Sequence, residues 1–269
     1  MIKISELYIY PVKSLAGIQL SSATLSPFGL LHDRRWVIVD ENGLFLSQRT
    51  KAKMATIATK LDKQGHLTLT YNNTSIEVPK SRESTKKINV SIWNDHLLAQ
   101  HTSTKVDEWL SAILEQKCHL VYMPQNAERQ IDPDFAKANQ FVSFADAFPF
   151  LAISQASLDN LNQRLKAAIN INRFRPNIVV DGCQAFAEDH WQEFAINHVE
   201  FISAKPCSRC IMPSINQETG QQDQKHMLAV LNRYRQFDKK IKFGQNILYK
   251  NSAKSNNQKI SIGDEIKLK

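Results

Sequence analysis

Cysteine is scarce in this chain: four in 269 residues, two isolated (Cys118, Cys183) and two close together (Cys207, Cys210). So few, so spaced, make no disulfide framework, and they fit a reducing cytoplasm better than a secreted setting. Long apolar runs are also missing. The longest, such as Ile178-Val179-Val180 and Ile247-Leu248-Tyr249, fall far short of a bilayer span, so no transmembrane helix is expected. The first residues enter a strand pattern at once (Ile2, Ile4, Leu7, Ile9), with neither an apolar signal core nor a small-residue cleavage site, and secretion is not expected. There is no G-x-G-x-x-G, no Walker loop and no G-x-S-x-G elbow, which leaves nucleotide chemistry and serine hydrolysis without a foothold. Internal repeats and low-complexity linkers are likewise missing. The net charge of +8 and pI near 9.3 are not gathered into any zinc-finger, RNP or basic-helix pattern. Nucleic acid is therefore not expected as a partner, and a site for a small polyanion accounts for the charge equally well.

What is present is an ordinary globular composition, 42% hydrophobic, sufficient for one large or two modest domains. Roughly the first hundred residues read as a β meander. Ser5 to Val12 and Trp36 to Asp40 look like strands, and Glu41-Asn42-Gly43 is a hairpin turn into Leu44 to Gln48. Further strands are expected over Thr56 to Leu61, Leu67 to Tyr71, Ser75 to Val78, Ile88 to Ile92 and Leu97 to His101, a spacing that favours a small barrel or sandwich. Thr104 and Asp107 resemble a capping box opening a helix from Lys105 to Gln116, with Val106, Trp109, Leu110 and Ile113 on one face. After a strand from His119 to Met123, the polar stretch Pro124 to Gln140 has no periodicity, and a loop of that length is either disordered or functional.

The second half is mixed. Ser154 is the expected N-cap of a helix to about Ala168 with Leu158, Leu161 and Leu165 inward, and a third helix spans about Met227 to Arg235. Strands are expected over Asn177 to Val180, Phe194 to Ile196, Val199 to Ala204, Phe243 to Lys250, and Lys259 to Lys269 with a turn near Gly263-Asp264. The change from meander to mixed α/β places a boundary between residues 85 and 125, giving domains 1–120 and 121–269.

Four segments put lysine or arginine beside short polar residues at a strand end: Pro11-Val12-Lys13-Ser14, His32-Asp33-Arg34-Arg35-Trp36, Phe174-Arg175-Pro176-Asn177 and Cys207-Ser208-Arg209-Cys210. Each alone reads as a solvated charge, and the C-x-x-C is as compatible with two structural cysteines in a turn as with a metal or nucleophilic site. His32, His190, His198 and His226 share no metal-ligand spacing, and Asp189 beside Trp191 reads as a loop carboxylate.

Taken together, the segments resemble a known family. Tyr10-Pro-Val-Lys-Ser14, Asp33-Arg-Arg-Trp36, Pro149-Phe150 with Ile153-Ser-Gln-Ala-Ser-Leu158, Asn172-Arg-Phe-Arg-Pro-Asn-Ile178, Ala187-Glu-Asp-His-Trp191, Cys207-Ser-Arg-Cys-Ile211, Phe243-Gly-Gln-Asn246 and Ile262-Gly-Asp264 occur in order along the chain. In this the sequence resembles MOSC-domain proteins that carry a MOSC N-terminal β-barrel domain, the group of the mitochondrial amidoxime-reducing component and its bacterial relatives. The resemblance implies a mixed α/β, predominantly β protein: an N-terminal β-barrel-like domain followed by a MOSC β-barrel domain with a few helices.

It also implies a molybdenum cofactor (Mo-molybdopterin), with Cys210 as the thiolate on the metal, the catalytic centre, and Cys207 as a supporting or structural thiol. Lys13, Ser14, Arg34 and Arg175 match the positions that hold the pterin phosphate, and Ser208 and Arg209 those beside the pterin; a mixture of point charge, planar forks and hydroxyls suits such a group. Arg35, next along a strand from Arg34, is expected to face away and to be solvated or salt-bridged. The implied activity is reduction of small N-hydroxylated compounds, such as hydroxylamines and amidoximes. A sulfur-carrier or cofactor-carrier role for Cys207 and Cys210 is the alternative. Two departures stand out. A pair of hydroxyl residues before Pro149 in the family is Ala147-Phe148 here, and the plant-type ferredoxin domain of some bacterial relatives has no counterpart before Lys269. Electrons are therefore expected from a separate donor protein of ferredoxin or flavoprotein type.

Overall fold

A computed structural model describes residues 1–79, 85–251 and 257–269. The protein is predominantly β, with three α-helices among the described residues. Its largest sheet has nine strands. From one edge they run Ile266–Leu268, Glu193–Ile196, Val199–Ser208, Lys240–Tyr249, Phe150–Ser154, Ile178–Asp181, Lys3–Ile9 and Ile18–Leu20, with Gln236–Phe237 as a short hairpin partner of Lys240–Tyr249. The pairing is antiparallel except between Phe150–Ser154 and Ile178–Asp181. Thus the first strand of the chain lies inside the sheet of the C-terminal half, with Leu7 opposite Ile178.

A second sheet orders Trp36–Asp40, Cys118–Tyr122, Asp95–His101 and Lys87–Ile92, and a three-stranded meander joins Ala58–Leu61, Leu67–Tyr71 and Thr74–Val78. The alternation in these segments puts Leu67 and Leu69 in the core and their neighbours outward, as a half-buried strand demands. Phe150–Ser154 carries no alternation because all five residues are buried, covered on both faces. That is why it reads in the sequence as neither strand nor helix. The strand from Val199 runs on through Lys205, Pro206 and Cys207 to Ser208, four residues beyond Ala204, and delivers the C-x-x-C from a strand end.

Helix α1 covers Thr104–Leu114 and buries Val106, Asp107, Leu110 and Leu114 along one stripe. The expected capping box does not form: Ser103 precedes the helix without a side-chain cap, and the Asp107 carboxylate turns inward to His101, His119 and the Leu120 N–H. Helix α2, Gln155–Asn162, starts as expected at Ser154, whose hydroxyl accepts from the Ser157 N–H at 3.1 Å. It stops short of Ala168 because the Asn162 amide takes both the N–H (3.0 Å) and the C=O (3.1 Å) of Ile169, folding the chain back. Helix α3 spans Met227–Arg235 as expected.

The core of the large sheet is aromatic. Phe150, Phe194, Phe201 and Tyr249 interlock with ring centroids 5.0 to 5.7 Å apart, and the Tyr249 hydroxyl donates to Ser26 O at 2.9 Å, pinning an N-terminal strand to this core. Arg35 departs from expectation. Its guanidinium is buried, 4.3 Å from the Phe28 ring and donating to Met123 O at 2.7 Å, with no carboxylate partner among the described residues. The expected strand alternation does not apply, because Arg34 lies in a left-handed turn and the strand begins only at Trp36; Arg35 instead enters a hydrophobic layer, where its flat cation stacks on rings.

Candidate functional site

Lys13 and Ser14 follow the strand Lys3–Ile9 through Val12, which bridges Trp36 in parallel; the Lys13 N–H donates to Trp36 O at 2.8 Å. A tight turn closes there, Leu15 N–H to Val12 O, and places Ser14 at φ 69°. Arg34 occupies the turn before Trp36–Asp40 at φ 49°, its N–H donating to Tyr10 O. Arg175 ends the 3₁₀ turn Ile171–Phe174 at φ 56°. Three non-glycine residues in the left-handed region cost of order 1–3 kcal/mol each, and such strain collects where a structure needs side chains aimed at one point. Here they are aimed at one cleft, lined by Lys13, Ser14, Arg34, Arg175, Ser208, Arg209 and Cys210. Seven candidate residues from four segments of the chain are thus brought together, in a cleft of about 840 Å³ counted with its open mouth.

Tyr10 organises the basic side. Its buried ring lies between two guanidiniums, 4.6 Å from Arg34 and 4.1 Å from Arg175, and its hydroxyl donates to Pro176 O at 3.1 Å. Gly17 is required for this: a Cβ there would meet the Tyr10 ring at 2.5 Å. Arg34 is anchored further by Asp33 (2.6 Å) and the Asn177 amide oxygen (3.1 Å). Burial alone would lower its pKa, but the Asp33 carboxylate outweighs that and raises it. Arg175 lacks such a carboxylate. Burial brings it down to about 10, its guanidinium donates to Gln217 at 3.2 Å, and its Nη2 is buried without a hydrogen-bond partner among the described residues. Arg209 donates to Phe243 O (2.8 Å) and Phe174 O (3.2 Å), and its Nη2 is also left without one. Buried donors without acceptors are costly, and two of them in one cleft suit an anionic ligand.

Lys13 is nearly covered, with burial lowering its pKa to about 8 despite an ion pair to Asp146 at 2.5 Å. Burial would raise Asp146, but Lys13 and Arg49 together with the Trp93 N–H hold it well below the usual carboxylate range. Six cationic side chains line the cleft (Lys13, Arg34, Arg49, Arg173, Arg175, Arg209) against one carboxylate, Asp146. Arg173 is spoken for by a two-pronged pair with Asp223. The excess remaining suits a ligand bearing several negative charges.

The two cysteines differ. Cys210 is exposed on the cleft wall and its Sγ accepts from Arg49 Nε at 3.5 Å. Cys207 packs against the hydrophobic cluster beneath, and burial pushes its thiol up. Ser208 is exposed, with its hydroxyl accepting from Lys242 Nζ at 2.9 Å.

Several lining residues escaped the sequence reading. Arg49 bridges Cys210, Asp146 (3.5 Å) and the Trp93 ring (4.5 Å), though it sits in an unremarkable polar run. Asp146 lies just before the Pro149-Phe150 match, and Asn177 lies inside two recognised segments, but neither had a signal of its own. The stretch Pro124 to Gln140 has a structural part here. Arg129 within it is buried and reaches Ser143 O, Ala145 O and Asp146 O, as well as Asp95, so it shapes the loop that presents Asp146. Asp189 lies elsewhere, paired with Arg235.

Comparison with known proteins places the chain in a family. Residues 1–117 match the MOSC N-terminal beta barrel domain and residues 139–267 the MOSC domain. The chain is 32% identical to mitochondrial amidoxime-reducing component 1 of Mus musculus over 87% of its own length and 72% of that protein. It is 31% identical to the human protein of that name over 98% of the chain and 82% of the relative. Human molybdenum cofactor sulfurase is 27% identical over 98% of this chain, which spans 32% of that larger protein. The chain belongs to the MOSC-domain family with the N-terminal β-barrel.

Proposed function

We propose that this MOSC protein binds the molybdenum cofactor in the cleft and reduces small N-hydroxylated compounds, with electrons from a separate ferredoxin- or flavoprotein-type donor. The observation that carries the reading is the pair of buried, unpartnered donors on Arg175 and Arg209 in a strongly cationic cleft that also exposes one thiol. Lys13, Ser14, Arg34 and Arg175 would hold the pterin phosphate, Ser208 and Arg209 the pterin side, and Cys210 would supply the thiolate to the metal. When bound, the cofactor supplies the two-electron, oxygen-accepting chemistry that breaking an N–O bond requires. The chain itself supplies position and charge. Tyr10 holds two guanidiniums against its ring, Cys207 packs against an apolar cluster, and Phe174, stacked 4.4 Å on Phe243, forms part of one wall. Trp93, which holds Arg49 at 4.5 Å over its ring and donates to Asp146 at 3.2 Å, fixes two of the charged groups that line the cleft.

The test is metal and pterin analysis of protein made in a host competent for cofactor synthesis, followed by reduction of a hydroxylamine with an artificial donor. The expected result is near-stoichiometric molybdenum and turnover in the wild type, and loss of both in Cys210→Ala. Molybdenum retained in Cys210→Ala removes that residue from its role, and fully loaded but inactive protein favours a carrier.

A further inference from the structure

A second cluster of ligand-type side chains lies in the N-terminal half, away from the cleft residues. His101 ends the strand Asp95–His101, Asp107 stands in the first turn of α1, and His119 lies on the strand Cys118–Tyr122. One carboxylate oxygen, Asp107 Oδ2, takes both imidazoles: His101 Nε2 at 2.7 Å and His119 Nδ1 at 2.6 Å. The rings stand nearly perpendicular, at 83°, with centroids 5.8 Å apart. The three donor atoms thus all lie within 4.8 Å of one another. The other carboxylate oxygen accepts from the Leu120 N–H at 2.9 Å, which fixes the orientation of Asp107 in the way outer contacts orient metal ligands.

The charge balance is unusual. Asp107 is nearly buried, and its ion-pair partners among the described residues are these two imidazoles, with no lysine or arginine. A largely desolvated carboxylate facing two nitrogen donors asks for positive charge at the point where they meet. His119, 30% exposed, gives the cluster a side open to solvent.

We infer that His101, Asp107 and His119 form a binding site for a divalent transition ion of the zinc class. Two nitrogens and one carboxylate oxygen suit zinc, cobalt or copper and do not suit calcium or magnesium. Metal–ligand distances of about 2.0–2.1 Å set tetrahedral donors about 3.3 Å apart, so the cluster opens by about 0.6 Å as the ion enters. In the metal-free protein the ring nitrogens that would face the ion donate to the Asp107 carboxylate, so each proton moves to the other ring nitrogen or to solvent as the ion enters. The ion would tie two strands to the first turn of α1. The site is independent of the cleft and of any reading of it.

Titration of the full-length protein with Co²⁺, then displacement by Zn²⁺, tests this. One equivalent of Co²⁺ is expected to bind with visible ligand-field bands and without the sulfur-to-metal band that Cys207 or Cys210 would add. Zinc should displace it and raise the melting temperature by several degrees. His119→Ala, at a half-exposed position, and Asp107→Asn, which keeps the shape, should each lose at least tenfold in affinity. A His119→Ala protein that keeps the wild-type circular dichroism at the titration temperature separates ligand loss from unfolding. Absence of saturable binding, a sulfur-dominated spectrum, or variants that titrate like the wild type would each overturn the site.

Discussion

The aromatic core of the large sheet and the cleft at its side are built on opposite principles. Around Phe201, four rings fill space with apolar surface and regular strand backbone. Around Arg175, left-handed backbone, buried cations and donors without acceptors occupy the same molecule a few strands away. The first region makes the fold stable, and the second is held in an unfavourable state by that stability. A ligand with several negative charges reverses the sign of the second region's contributions.

That contrast can be broken in graded ways. Phe201→Ala removes a fully buried ring and should cost about 3–5 kcal/mol, a hundredfold or more in the folding equilibrium. Urea denaturation measures it, and cofactor content per folded molecule should stay unchanged; a selective loss of cofactor would join the two regions that are held apart here. Arg175→Met should do the reverse. Replacing a desolvated cation by an apolar chain is expected to leave the cofactor-free protein within about 1 kcal/mol of wild type, or more stable, while pterin content falls at least about tenfold. Strong destabilisation of the cofactor-free variant would mean that Arg175 serves the fold.

The smallest effect is a pH dependence at Lys13. Burial lowers its pKa from 10.5 to about 8, so the unfolded chain holds this proton more tightly than the folded one. The cost of the buried cation is fully present below about pH 8 and is relieved as pH rises towards 10.5, so Lys13's contribution to cofactor-free stability rises across that window. Anion affinity should run the other way, falling several-fold between about pH 7 and about pH 9 as the positive charge is lost. Pyrophosphate binding by calorimetry in wild type and Lys13→Met would show it, the variant losing the pH dependence. An identical slope in both would place the titrating charge elsewhere.

Much of this was legible in the sequence because it is local. Leu67–Tyr71 alternates, Ser154 caps a helix, and the four basic segments each announce a strand end. Phe150–Ser154 was not legible, since burial on both faces erases alternation. Arg35 was misjudged because the strand begins only at Trp36, so alternation does not set its direction, and Phe28 and Tyr122, distant in the chain, wait for its guanidinium. The helix signal at Thr104 and Asp107 was real in placing α1, yet the carboxylate meant for the cap was claimed by imidazoles distant in the chain.

By itself, then, the sequence determined the predominance of strands, the helix positions and the residue types of the cleft, because period, capping and turn chemistry act over a few residues. Only tertiary structure decided that Arg49 lies beside Cys210, that Asp146 pairs with Lys13, and that His101 and His119 share one carboxylate oxygen. These meetings depend on sheet register and loop closure across scores of residues. No spacing in the chain encodes such distances, and the charge of each group is set by neighbours that only the folded state supplies.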